Sequence, residues 1–304
     1  MKLVEDHPLY GRKIEREELP SLLMLVEAAW QLPRSPQLSI VYLIQGEEDT
    51  AAAEEAMWGG GADVFVLTFR TQRRDTLFFP NSLLAEGRNV LLAAAALEEF
   101  RKGHRYEYYV FLDADSDPRP PWPDSLPRFE AFLGDWAPAV GVPAYNQAAI
   151  HLDGAEDPRG IFHFDHIFVA VHAEAVPKLL PYNTTQDSLC AWTSQWVFTL
   201  LATALYKNHV LLFPGMRVLN PHHSKYPKDR CLAEMAIATQ RLRDAAPPGA
   251  HKCFPDPSSS VVRLRGGLAE LGYLPWGVAR RKREVDADYR AADISRTEPC
   301  DDEA

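Results

Sequence analysis

Residues 108–117 of this 304-residue chain have the sequence Tyr-Tyr-Val-Phe-Leu-Asp-Ala-Asp-Ser-Asp, in which five apolar or aromatic residues precede an acidic cluster. A continuous apolar run of this length is typical of a strand that is buried on both faces. The three aspartates Asp113, Asp115 and Asp117 follow directly. The stretch therefore predicts a core strand that ends in a group of carboxylates.

The sequence on the N-terminal side of this stretch alternates between strand-like and helix-like segments. Residues 38–44 and 64–68 are apolar and typical of buried strands, whereas residues 47–58 and 83–100 are rich in alanine and leucine and predict helices. Alternation of this kind is typical of an α/β protein with a doubly wound sheet. In such sheets ligands bind beyond the carboxyl ends of the strands, so we expect the aspartates to lie in the ligand crevice.

The second half of the chain has a mixed pattern. We interpret the proline-rich residues 118–127 as a surface loop. Further strands are predicted over residues 139–142, 166–171 and 209–213, and further helices over residues 173–180, 188–206 and 232–242. Residues 245–304 are dominated by proline, glycine, serine and charge, and we expect them to be loosely packed or disordered.

Charge, cysteine spacing and hydropathy exclude several classes of protein. The formal net charge of −10 argues against a nucleic-acid partner, and we interpret the short basic run at residues 279–283 as a solvated tail. The cysteines Cys190, Cys231, Cys253 and Cys300 are widely spaced, which predicts reduced structural thiols. No apolar run is long enough to span a bilayer. We expect a cytoplasmic or otherwise soluble protein, or one from a secretory lumen if an anchor has been removed.

The acidic cluster is suited to a divalent cation. Asp113 and Asp115 flank a single residue, so their carboxylates can face one hard cation such as Mn²⁺ or Mg²⁺. Such a cation would bridge a nucleotide diphosphate and stabilise the charge that develops on the leaving group. Two alternatives remain: a solvated acidic loop in which Asp117 begins a turn, and a phosphate-transferring hydrolase with a nucleophilic aspartate.

With residues 86–92, Glu-Gly-Arg-Asn-Val-Leu-Leu, the acidic stretch resembles glycosyltransferases of the GT-A fold. The resemblance covers roughly residues 38–228. It implies one GT-A-like catalytic domain over residues 1–244, built on a doubly wound mixed sheet flanked by helices. The domain has a donor half at about 38–117 and an acceptor half at about 118–244, and a C-terminal extension follows over 245–304. It also implies transfer of a sugar from a nucleotide-sugar, expected to be UDP-linked, to a carbohydrate or other hydroxyl acceptor. Because sugars stack on aromatic rings, we expect Trp122, in the loop of residues 118–127, to contact a sugar.

The resemblance assigns roles to residues around the donor. It implies that Arg88 lies near the nucleotide diphosphate, that Asp113 contacts the donor and that Asp115 ligates Mn²⁺, while Asp117 ligates the metal or faces solvent. A guanidinium at a helix N-terminus adds a bidentate fork beside a dipole that already favours phosphate. The alternative for Arg88 is to cap its helix or to pair with Glu86.

Residues 220–227, Asn-Pro-His-His-Ser-Lys-Tyr-Pro, correspond to the position at which the family often supplies a histidine ligand. The resemblance favours His223 as that ligand, with His222 second, and Lys225 as a phosphate contact. The alternative is a pair of surface histidines.

The general base is harder to assign, because Ser194 and Gln195 occupy the position at which inverting members of the family carry an acid. The nearest acid is Asp187, which could equally be an ordinary helix cap. Asp165 is the alternative base and could instead bind the acceptor. If neither is the base, a retaining mechanism without one becomes plausible.

Two other functions are compatible with this sheet. A nucleotidyltransferase or sugar-nucleotide synthase requires a basic, glycine-rich loop after the first strand, whereas residues 45–49 are Gln-Gly-Glu-Glu-Asp. A non-catalytic carbohydrate-binding protein on the same fold remains open because the acid is missing at the usual position of the base.

Overall fold

The computed structural model describes residues 2–3, 7–46, 62–114, 116–119, 121–145, 158–161, 164–185, 187–188, 190–206, 209–219 and 228–245. The helix predicted over residues 47–58 lies outside these residues, as does all of the C-terminal extension after residue 245. The division of the chain into a domain of residues 1–244 and an extension stays a prediction.

Ten strands form one sheet within the described residues. They are β1 (Lys2–Leu3), β2 (Ile40–Gly46), β3 (Asp63–Thr68), β4 (Leu77–Phe78), β5 (Tyr108–Asp113), β6 (Asp117–Arg119), β7 (Val140–Tyr145), β8 (Arg159–Gly160), β9 (Phe168–His172) and β10 (Val210–Leu219). The order across the sheet is β1-β3-β2-β5-β9-β7-β10-β6, with β4 beside β3 and β8 beside β10.

Six helices flank this sheet in the same part of the chain. They are α1 (Leu19–Ala29), which follows a short 3-10 turn, α2 (Leu84–Lys102), α3 (Trp122–Trp136), α4 (Val176–Leu179), α5 (Ala191–Leu205) and α6 (Lys228–Ala245). None of these helices is both long and apolar enough to cross a membrane.

The sheet is mixed in direction. Strands β1, β3, β2 and β5 run parallel to one another, whereas β9 is antiparallel to both β5 and β7, and β10 is parallel to β7. The predicted α/β fold with a doubly wound mixed sheet flanked by helices is confirmed. Because β9 runs against β5, the residues that precede β9 lie at the same edge of the sheet as the residues that end β5.

Side chains alternate between the two faces of the sheet, and both faces are covered. On β5, Tyr109 and Phe111 belong to the cluster that contains α1 and α2, whereas Val110 and Leu112 belong to the cluster that contains α3. All four side chains are at most 2% exposed. Burial on both sides explains why the central strands are continuous apolar runs instead of alternating ones.

The expectation of a surface loop over residues 118–127 is wrong. The chain forms β6 and then starts α3 at Trp122, with Pro121 as N-cap and Pro123 in the first turn. Proline is tolerated there because backbone N–H groups of the first turn have no partner within the helix. Trp122 is 5% exposed and stacks on Phe168 at a ring-centroid distance of 5.9 Å. The expected sugar contact of Trp122 is therefore also wrong.

The expectation of reduced thiols is wrong for two of the four cysteines. Cys190, the N-cap of α5, forms a disulfide with Cys231 in α6. The two residues are 41 positions apart in sequence, and they meet because α6 packs against α5. Spacing alone could not reveal this pairing. Cys253 and Cys300 lie outside the described residues.

Candidate functional site

The candidate site lies at the carboxyl ends of β2 and β5. Asp113 is the last residue of β5 and is in register with Gln45 of β2. The backbone N–H of Asp113 donates to the carbonyl of Ile167 at 3.0 Å, and that of Ala114 donates to the carbonyl of Gln45 at 2.9 Å. These bonds fix the start of the acidic cluster between β2 and the residues that precede β9, as expected for a ligand crevice.

Arg88 lies beneath this edge, in the second turn of α2, and is 1% exposed. Its Nη2 donates to Asp113 Oδ1 at 2.9 Å and to the carbonyl of His166 at 2.6 Å, and its Nη1 donates to the Tyr182 hydroxyl at 3.3 Å. The Asp113 side chain, in contrast, is 29% exposed. The ion pair thus joins a buried cation to a carboxylate that borders the crevice.

The surroundings of Arg88 keep it charged. Burial alone would lower the pKa of Arg88, but its contacts with Tyr182 and Asp113 more than compensate and raise the pKa above its ordinary value. The guanidinium also lies 5.9 Å and 5.5 Å from the ring centroids of Phe111 and Tyr182, a cation–π geometry. Loss of one partner from such a buried pair is strongly destabilising, because the other charge is left uncompensated.

The alternative in which Arg88 pairs with Glu86 is wrong. Glu86 instead forms a bidentate pair with Arg16, at 2.7 and 2.8 Å. Glu86 also accepts the backbone N–H of Leu83 at the start of α2. Arg88 consequently contacts residues that border the crevice, and it does not pair with a residue on the surface of its own helix.

The glycine that precedes Arg88 permits a close approach between α2 and β2. A Cβ atom on Gly87 would lie 2.6 Å from Cδ of Gln45, closer than Cβ atoms occur in proteins. Gln45 is 7% exposed and contacts the first turn of α2 through a 3.4 Å hydrogen bond to the Leu83 carbonyl. Sequence reasoning did not identify Gln45, although its place at the end of a predicted strand was the available signal.

Asp187 caps the N-terminus of α2 and not that of α5, the helix that follows it in the sequence. Its Oδ2 accepts the backbone N–H groups of Ala85 and Glu86 at 3.0 and 3.4 Å, and its Oδ1 accepts the Ser194 hydroxyl at 3.2 Å. Asp187 is 3% exposed. Burial raises the pKa of Asp187, and the backbone N–H groups oppose that increase.

The geometry of Asp187 bears on two expectations. The N-terminal dipole of α2 already interacts with the carboxylate of Asp187, and the expected contribution of that dipole to phosphate binding stays a prediction. A carboxylate that is buried and bonded through both oxygens also favours a structural role for Asp187. Its assignment as the general base stays a prediction.

The remaining acids flank the crevice. Asp165 accepts the backbone N–H of Ile167 at 2.8 Å, which places it just before β9, at the edge where Asp113 ends β5. Asp117 begins β6 opposite Leu219, the last residue of β10. Four predicted site residues lie outside the described residues: Asp115, His222, His223 and Lys225.

The described acids are of the right chemical type to bind a hard cation, but there are too few of them to form a complete site. Carboxylate oxygens of Asp113 and Asp117 are suitable ligands for Mn²⁺ or Mg²⁺. Among the residues that the structure describes, however, no group of three or more His, Cys, Asp or Glu side chains could hold a metal ion. The missing ligands would have to come from the neighbouring Asp115 and from residues 220–227.

No protein-family model matches the chain, and no curated protein matches it either. Several solved structures are similar. Residues 1–349 of TarS from S. aureus share 12% identity at a TM-score of 0.49, over 84% of this chain and 78% of that one. The same protein in complex with UDP-GlcNAc gives 12% identity and a TM-score of 0.45, over 84% and 79%. GalNAc-T7 with UDP, GalNAc and Mn²⁺ gives 10% identity and a TM-score of 0.44, over 95% and 66%.

Proposed function

We propose that this protein is a glycosyltransferase that moves a sugar from a nucleotide diphosphate-sugar, UDP-linked, to a hydroxyl group of a carbohydrate acceptor. The observation that carries the proposal is the Arg88–Asp113 pair at the carboxyl ends of β2 and β5, because this edge is where doubly wound sheets bind nucleotides.

We assign different roles to the two residues of this pair. Arg88 is buried and donates to three protein oxygens, so its role is to hold Asp113 in place. Asp113 is the member with exposed surface, and it contacts the ribose or sugar of the donor. Arg88 is therefore a positioning residue. The sequence led us to expect that Arg88 contacts the diphosphate, and we now assign that contact to the cation and Lys225.

A divalent cation belongs to this proposal. Asp115 follows Asp113 by two residues, and Asp117 lies next to the end of β10, from which His222 and His223 follow. Bound there, Mn²⁺ or Mg²⁺ would stabilise the negative charge that develops on the diphosphate as the sugar leaves.

Of the two candidate bases, Asp165 is the better placed. It lies two residues from Ile167, whose carbonyl accepts the Asp113 N–H, and it is only partly buried. Asp187 is buried and engaged at the start of α2. We therefore assign acceptor binding or activation to Asp165, and a cap between two helices to Asp187.

The test is isothermal titration of the full chain with UDP, in the presence of Mn²⁺ and in the presence of EDTA. Asp113→Asn and Asp115→Asn remove one charge each from the cluster, and Asp124→Asn removes one from the exposed surface of α3. We expect metal-dependent UDP binding that both cluster variants weaken at least about 100-fold, which corresponds to roughly 3 kcal/mol. Asp124→Asn should bind as the wild type does. UDP binding of equal strength in EDTA, or no binding, contradicts the proposal.

Turnover separates an enzyme from a carbohydrate-binding protein. Release of UDP from UDP-sugars is measured with Mn²⁺, first without and then with simple saccharide acceptors. A glycosyltransferase releases UDP, and Asp115→Asn abolishes that release. Binding of UDP without any release from a panel of UDP-sugars would instead identify a binding protein on this fold.

A further inference from the structure

A cavity of about 120 Å³ lies between α5, α6 and the loop of residues 183–185. One of its walls includes Ser194, whose hydroxyl donates to Asp187. Asp187 in turn accepts N–H groups from α2, the helix that carries Arg88. The cavity is thus connected to the candidate donor site through two hydrogen-bonded contacts, but it is a separate concavity.

The wall of this cavity contains a buried hydroxyl without a partner. Thr193 is 0% exposed, and its Oγ1 forms no hydrogen bond with any part of the chain that the structure describes. A buried hydroxyl in this condition is costly, and such groups are rare in folded proteins. A hydroxyl of this kind in a polar cavity is explained if a ligand completes its hydrogen bonding.

Other lining groups offer hydrogen bonds of both kinds. The carboxamide oxygen of Asn183 accepts the Thr185 backbone N–H at 2.9 Å, which leaves the carboxamide NH₂ as a donor. Ser194 uses its proton for Asp187, which leaves its oxygen as an acceptor. A ligand that both donates and accepts within a few ångströms satisfies these groups, and vicinal hydroxyls do so.

The α6 side of the cavity adds charge and an apolar surface. Glu234, Ile237 and Arg241 recur at helical spacing and line the same cavity, and Ile237 is 45% exposed although it is large and apolar. One carboxylate and one guanidinium balance each other, which favours a neutral ligand over a phosphate. The volume of about 120 Å³ is below the roughly 300 Å³ of pockets that bury a whole drug-sized ligand, so this cavity can enclose only one small part of a ligand, and a nucleotide is too large.

We propose that this cavity is an outlying subsite for a carbohydrate acceptor and takes one neutral saccharide ring other than the ring that reacts, an inference that rests on the proposed glycosyltransferase function. The ring hydroxyls bond to Thr193, Glu234 and Arg241, and the C–H face of the ring packs against Ile237. The Cys190–Cys231 disulfide and the 2.8 Å hydrogen bond from Trp196 to Thr239 hold α5 against α6, so the cavity is formed before the ligand arrives.

Saturation-transfer NMR on the full chain tests the proposal, with methyl β-glucoside and methyl β-galactoside as probes and no nucleotide present. Thr193→Val keeps the shape of the side chain but removes the unpaired hydroxyl. It should weaken glycoside binding at least about fivefold while the melting temperature is unchanged or raised, because a buried donor without a partner is lost. Glu234→Gln should weaken binding about tenfold, since a charge-assisted hydrogen bond is lost. The control Glu27→Gln, which removes a charge from an exposed position of α1, should bind as the wild type does.

The outcomes separate this inference from the proposed function. If neither glycoside binds, or if both bind Thr193→Val and Glu234→Gln as tightly as the wild type, the subsite is wrong, whatever the UDP titration shows. If UDP binds with metal while the cavity fails these tests, the glycosyltransferase proposal stands without this acceptor site. If the glycosides bind as expected but UDP never does, the cavity binds saccharides and its role as an acceptor subsite is wrong.

Discussion

Replacement of Asp187 by alanine should destabilise the fold through the junction of α2 and α5. Three donors depend on this carboxylate: the backbone N–H groups of Ala85 and Glu86, and the Ser194 hydroxyl. The site is 3% exposed, so water cannot easily replace the lost acceptor. Loss of a helix cap costs about 1 kcal/mol, and each buried donor left without a partner costs about 1–3 kcal/mol, so we expect a loss of ~3 kcal/mol for Asp187→Ala.

Asparagine is the matched comparison at this position. Its single carboxamide oxygen can still accept one of the bonds at the start of α2, and asparagine is a good helix cap, so Asp187→Asn should cost only ~1 kcal/mol. Urea denaturation at neutral pH, followed by circular dichroism, measures both free energies of unfolding. A loss below about 0.5 kcal/mol for Asp187→Ala would refute the interpretation of Asp187 as a cap.

The same two variants separate a cap from a general base. If Asp187 is a cap, Asp187→Asn retains kcat within a few-fold of the wild type in the UDP-release assay. If it is the base, kcat falls by about 100-fold or more, because a carboxamide cannot accept the proton. If kcat falls by this factor while the free energy of unfolding is nearly unchanged, Asp187 is the general base and Asp165 is not.

Three further predictions concern the stability of the fold. The double variant Cys190→Ala/Cys231→Ala should lose ~2–4 kcal/mol of unfolding free energy, because the disulfide closes a loop of 41 residues; a loss below about 1 kcal/mol contradicts this. Burial raises the pKa of Glu99 from 4.5 to about 7, so wild-type stability should fall as the pH rises between these values, by up to ~3 kcal/mol. Glu99→Gln should abolish that fall, and an identical pH profile in the two proteins excludes Glu99 as its source. Gly87→Ala should cost at most about 1 kcal/mol, because it displaces the flexible end of the Gln45 side chain while alanine favours the helix; with Gln45→Ala in the same chain the substitution should instead stabilise by up to about 1 kcal/mol, whereas simple additivity would refute the contact.

The part of the site that sequence could predict is the part that depends on local pattern. The apolar run before Asp113 specifies a buried strand, and the position of the aspartates at its carboxyl end follows from the chain direction alone. Arg88 was also predicted to be near this edge, but its partner was not. Its pairing with Asp113 instead of Glu86 depends on how α2 lies across β5, which no sequence spacing encodes.

Tertiary packing also explains the predictions that failed. Prolines between residues 118 and 127 indicated a loop, but Pro118 lies in β6, and Pro121 and Pro123 lie where α3 begins and lacks internal partners for its N–H groups. Pro127 lies inside the helix. Trp122 looked like an exposed aromatic residue, yet it is buried because α3 packs its apolar face on β9. Local composition indicates the type of side chain, and only the neighbouring elements decide whether that side chain is exposed.

By itself, the sequence determined the buried strands β2, β3 and β5, the helix α2 before β5 and the acidic end of β5, because side-chain burial imposes the period of each element on the residues within it. The tertiary structure alone decided the partner of Arg88, the capping of α2 by Asp187, the Cys190–Cys231 disulfide and the polar cavity beside it. Each of these joins residues that are 25 or more positions apart, and contacts at that range depend on the packing of whole elements, not on any local pattern.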